Sequence, residues 1–101
     1  MKKLTGLKES LKAPNNRTEA VPTYLDICID SLSHMPAKGL ESIKNWKLAE
    51  RLAELAEPFS VEDAEFDRIQ EAVQANPCGY LSWTQGQMLI RAERWRREER
   101  A

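Results

Sequence analysis

The stretch V-P-T-Y-L-D-I-C-I-D-S-L-S-H-M, residues 21–35, decides between two folds. Read with a period of two, Leu25, Ile27 and Ile29 alternate with Asp26, Cys28 and Asp30, which suits a strand. Read at 100° per residue, Thr23, Asp26, Asp30, Ser33 and His34 close into one narrow polar stripe. Tyr24, Leu25, Ile27, Cys28, Ile29, Leu32 and Met35 cover the remaining surface. The stripe favours a helix, with Pro22 in its first turn, where a missing N–H costs nothing. A helix apolar on most sides is buried on most sides, either within its own bundle or against a second copy.

The chain that follows is plainly helical. Residues 38–57 are rich in leucine, alanine, glutamate and lysine, all strong helix formers. Leu48, Leu52 and Leu55 line one seam, with Ala49, Ala53 and Ala56 beside it, and Pro58 stops the helix. Leu40, Ile43 and Trp46 turn to the side, which predicts a second neighbour for the first turns. Ser60 is a natural N-cap for the next helix, 60–75, whose apolar face is Phe66, Ile69 and Val73. Asn76-Pro77-Cys78-Gly79 ends it with turn residues. The last helix opens on Ser82 to Gln85, a capping-box pattern, and turns Met88, Leu89, Ala92 and Trp95 inward.

On the other side of the opening stretch, residues 1–17 place Leu4, Leu7 and Leu11 at helical spacing and break at Ala13-Pro14-Asn15-Asn16. A helix that short is marginal in water. The expected fold is therefore all-α, a small bundle of three to four helices with a basic N-terminal arm: residues 1–17 as the arm and 18–101 as one helical domain.

Composition agrees with one small globular domain: 101 residues, 42% hydrophobic, 31% charged. No apolar run approaches the roughly 20 residues that span a bilayer, and no signal-peptide core follows Met1-Lys2-Lys3, so a cytoplasmic protein without membrane contact is expected. Cys28 and Cys78 stand far apart and His34 is the sole histidine, which leaves no zinc set. No phosphate loop or nucleophile elbow is present, so neither an enzyme nor a cofactor is expected.

The net charge of −1 conceals segregation. Lys2, Lys3, Lys8, Lys12 and Arg17 oppose only Glu9 near the start, whereas Glu62, Asp63, Glu65, Asp67 and Glu71 oppose only Arg68. A helix-turn-helix with residues 60–75 as recognition helix would press those acids against phosphates, so that orientation is excluded. The end, R-A-E-R-W-R-R-E-E-R-A, pairs Glu93 with Arg97, Arg94 with Glu98 and Arg96 with Glu99 along one helix, and lets Arg91 reach Trp95. It reads as a solvated helix end, with Ile90 exposed on the Arg94/Arg97 side.

Three strings carry a resemblance: K-N-W-K-L-A-E-R-L-A-E-L, then S-V-E-D-A-E-F-D-R-I-Q-E-A-V, then T-Q-G-Q-M-L. Together they resemble a group of short helical proteins encoded in bacteriophage and prophage genomes. Phe59 stands where that group usually has leucine, and the arginine-rich end departs from it. The resemblance implies a phage setting and a bacterial host, and assigns no site. The expected function is protein–protein contact by a small accessory protein, with homodimerisation left open. Its candidate partner-binding residues are Glu62, Glu65, Asp67, Ile90, Arg94 and Arg97. A nucleic-acid-associated regulator using both basic ends is the alternative, and it requires those ends to share one face.

Overall fold

The computed structural model describes residues 2–12, 21–54 and 59–100, with side chains to Arg97. Among the described residues, four helices and a two-stranded antiparallel sheet follow in the order β1 (Lys2–Leu4), α1 (Tyr24–His34), α2 (Leu40–Glu54), β2 (Phe59–Val61), α3 (Asp63–Ala75) and α4 (Ser82–Arg100). The fold is mostly helical, not purely so. The expected break at Ala13-Pro14-Asn15-Asn16, Leu55, Ala56 and the stop at Pro58 lie outside the described residues, as do the side chains of Glu98, Glu99 and Arg100.

Residues 21–35 resolve as the helix. Thr23 caps it: its Oγ1 accepts from the Asp26 N–H and its own N–H donates to Asp26 Oδ2, both at 3.1 Å. Pro22 therefore precedes the cap and lies outside the first turn. Ile27, Cys28 and Leu32 are buried, while Leu25 and Ile29 are half-buried against the same core. The bundle covers most of this helix without a second copy, since α1 packs on both α2 and α3.

The N-terminal segment corrects the expectation of an arm. Leu4, Leu7 and Leu11 are buried in the common core. β1 pairs with β2 in the register Lys2↔Val61, Lys3↔Ser60 and Leu4↔Phe59, so Leu4, Phe59 and Val61 point inward together. Ser60 is thus a sheet residue, and Glu62 takes the N-cap position of α3 instead. Beyond the strand, the Glu9 carbonyl accepts the Tyr24 N–H at 3.1 Å and the Leu7 carbonyl accepts the Leu25 N–H at 2.7 Å. The first N–H groups of a helix have no partner inside it. Here the supposed arm supplies two of those partners to α1.

Helix α4 closes over the same segment. Met88, Ala92 and Trp95 are buried as expected, but Leu89 is 42% exposed. Ser82 is already helical, and the Thr84 and Gln85 N–H groups bond the Leu81 carbonyl, so no Ser82 capping box forms. Trp95 meets Phe66 edge to face, centroids 6.4 Å apart, and its Nε1 donates to the Thr5 carbonyl at 2.8 Å. Arg91 does not reach for Trp95. Its guanidinium stacks on Tyr24, 4.2 Å from the centroid, and binds Glu9 at 2.8 Å. Gly6 makes room for this, with φ at +69° and no Cβ to strike the Arg91 guanidinium.

Candidate protein-binding surface

Helix α2 buries Asn45, Leu48, Ala49 and Leu52 on one side. At 100° per residue those four leave the opposite side for solvent, and there the sequence places Leu40, Ile43 and Trp46. They are 73%, 47% and 58% exposed. Ala53, expected beside the seam, is exposed as well. The second neighbour predicted for these turns is absent among the described residues. Isolated surface apolars are ordinary, whereas three large ones within two turns of one helix mark an interaction surface.

The edge of α2 that faces α3 is charged. Arg51 and Glu65 form a two-pronged pair, Nη1–Oε2 and Nη2–Oε1 both at 2.7 Å. Arg68 binds Glu41 at 2.6 Å and donates to the buried Asn45 side chain at 2.9 Å. Between these bridges lies a groove of about 520 Å³, floored by Leu48 and Ala64 and flanked by Lys44, Lys47, Arg51 and Arg68. The Arg68 guanidinium, hydrogen-bonded to Glu41, holds that carboxyl below its usual range.

Glu65, a candidate for partner contact from its sequence, is an engaged acid in the fold. Besides Arg51 it accepts the Glu62 N–H at 2.8 Å, so it secures the start of α3. Desolvation raises its pKa, but the hydrogen bonds from Arg51 and from the Glu62 N–H outweigh this and leave it below the usual carboxylate range. A carboxylate with a depressed folded-state pKa contributes stability above its unfolded value, and that contribution is lost as pH falls through the folded one. Glu65→Lys should cost about 1–2 kcal/mol in urea melts near neutral pH, and the difference from wild type should shrink on acidification. Asp67→Lys, at an exposed position, should change stability by less than about 0.5 kcal/mol.

The other expected site residues divide. Glu62 and Asp67 are exposed on α3, and Glu62 touches Glu65 through its backbone N–H. Ile90, 69% exposed, shares the outer face of α4 with Arg94 and Arg97, as their spacing requires. Glu93 pairs with Arg96 at 3.5 Å instead of Arg97. Arg96 and Lys2 both lie over the Phe66 ring, at 5.8 and 5.2 Å, so the two basic ends do meet. Cys28 is buried and burial pushes its thiol up to about 12, which keeps it protonated; Cys78 is exposed. No helix among the described residues is long and apolar enough to cross a membrane.

The residues that sequence reading passed over are those of α2. The signal was present, because Leu40, Ile43 and Trp46 stand off the Leu48/Leu52 seam on any helical wheel. Assigning them to a neighbour within the bundle concealed it. Comparison with protein-family models, curated proteins and solved structures finds no match to this chain. The surface must be read from its own chemistry.

Proposed function

We propose that this chain is a small accessory protein, of the phage or prophage kind its sequence resembles, which acts in a bacterial cytoplasm by binding another protein through the outer face of α2. One observation carries the reading: Leu40, Ile43 and Trp46 stand exposed together on a helix whose opposite side is fully engaged in the core. Interface centres are more apolar than the rest of a protein surface and are enriched in aromatic side chains such as Trp46. A binding role, not catalysis, also suits the lone His34, which is exposed and engages the Asp30 carbonyl at 2.8 Å.

The test is site-specific photocrosslinking in the host cell. A photoreactive phenylalanine analogue at Ile43 should give a discrete adduct with one protein, and the same group at Glu93, exposed on α4, should not. Equal or absent adducts at the two positions would remove α2 as the contact surface.

A second reading is favoured by the meeting of Lys2 and Arg96 on Phe66, since a nucleic-acid regulator needs both basic ends on one face. Against it, Arg91 is bound to Glu9 and Arg96 to Glu93. Salt-sensitive retention on duplex DNA at about 50 mM salt would shift the assignment to this alternative.

A further inference from the structure

We infer that the groove between α2 and α3 receives an acidic segment of the partner, one that also carries apolar side chains for Leu40 and Ile43; this deepens the binding reading above and rests on it. The charge pattern fixes the first half. Lys44, Lys47, Arg51 and Arg68 flank the groove, and among the described residues Glu65 is the sole carboxylate lining it. Even after Glu41 is counted against Arg68, two cations remain in excess. Lys47 has no ion-pair partner among the described residues, and Lys44 has only Glu41 at 3.8 Å. Cations left over beside a walled groove favour a partner of opposite sign.

Helical geometry supplies the second half. Leu40, Lys44, Lys47 and Arg51 follow one another at intervals of four, three and four, so they form a single stripe along α2, with Ile43 beside it. The cationic part alone runs about 10 Å along the helix, and the apolar part extends it by another turn. A small anion would occupy one point of that stripe. A peptide segment lying along the helices would meet all of it, and Leu48 and Ala64 give it an apolar floor.

A second copy of this chain fits less well. Its densest run of exposed acids lies on α3 and its N-cap, where Glu62, Asp63, Asp67 and Glu71 face solvent, but the apolar residues of α3 are buried in its own core. Docking α3 into the groove of another copy would leave Leu40 and Ile43 without a counterpart. It would also be a head-to-tail contact, which repeats without closing unless the rotation happens to form a ring.

The experiment titrates the isotope-labelled full chain, by amide NMR, with probes of about 18 residues, five helical turns long. One peptide alternates a leucine face with a glutamate face, a second replaces glutamate by lysine, and a third replaces leucine by glutamine. A single-stranded oligothymidine of similar length is the fourth probe. The glutamate–leucine peptide should shift amides of residues 40–51 and 64–68, and its affinity should fall as salt rises from about 50 to 300 mM. In the double variant Lys44→Glu, Lys47→Glu that affinity should drop by at least about tenfold with the thermal transition unchanged, because both lysines are exposed.

Preference for the lysine peptide, for oligothymidine, or equally for the leucine-free peptide overturns the inference. So does an absence of shifts at α2 and α3 up to millimolar peptide, or dilution-dependent shifts there without any probe, which would give the groove to a second copy. The two levels separate cleanly. If Ile43 crosslinks a protein whose contacting segment is not acidic, the groove inference falls and the binding function stands. If Ile43 crosslinks nothing while the peptide binds, the binding function at α2 falls and the groove chemistry remains.

Discussion

Leu52→Asp is expected to abolish cooperative unfolding altogether. Leu52 is fully buried in α2, between Leu48 and Ala49 on the side that packs against α1. Truncating a leucine at such a site to alanine already costs about 2–5 kcal/mol. A carboxylate adds the cost of an unpaired buried charge, several kcal/mol more, or protonates to escape it. Small domains hold only about 5–15 kcal/mol in total, so the sum consumes the whole of it. Circular dichroism should show a broad, featureless thermal profile in place of a sigmoid. A wild-type melting temperature would mean that α2 presents another face to the core.

Removing residues 2–11 should be as damaging, although the segment carries lysines and looks dispensable. The deletion takes three buried leucines, each worth about 1.5–3 kcal/mol in transfer alone. It strands β2 without a partner, leaves Phe59 and Val61 uncovered, and strips the Tyr24 and Leu25 N–H groups of their acceptors. Trp95 loses the Thr5 carbonyl in the same stroke. A buried donor left unpaired costs about 1–3 kcal/mol. The truncated chain should lack a cooperative transition in urea, and the point variant Leu7→Ala should lower stability by about 2–5 kcal/mol. A truncated protein that melts within a few degrees of wild type would restore the segment to the status of an arm.

The contrast between those two variants measures what could be read from the sequence. Leu48, Leu52, Phe66, Ile69, Val73, Met88 and Trp95 were assigned to the core from helical period alone, because long helices repeat that period often enough to average out exceptions. Leu4, Leu7 and Leu11 obeyed the same spacing and were buried for a different reason. Their segment is a strand and a turn, and its hydrogen-bond partners come from residues 22–25, 59–61, 87 and 91–95. Such partners are set by tertiary pairing, which a local window does not contain. Ser60 misled for a related reason: a good N-cap residue is also acceptable in a short strand, and Lys3 across the sheet decided the matter. For the binding surface, wheel geometry revealed the second apolar face of α2 but not that it lacks a cover. The acids of α3 drew attention as a charge run, although Glu65 is bound by Arg51 and by the backbone of Glu62. The cationic groove is formed by residues from two helices and had no signature in either one.

The bond from Trp95 to the Thr5 carbonyl joins residues 90 positions apart, and the Arg91–Glu9 pair joins residues 82 apart. That separation governs the time course of assembly. Residues 2–11 are made well before α4 and are among the last to find their place, since that helix is one wall they lean on. Until residue 95 has emerged, the cover that α4 lays over this segment is missing, and closing so wide a loop is an entropic step that no local helix formation can replace. Docking of residues 2–11 therefore waits on the synthesis of α4, and a nascent chain stalled before α4 should be a chaperone client.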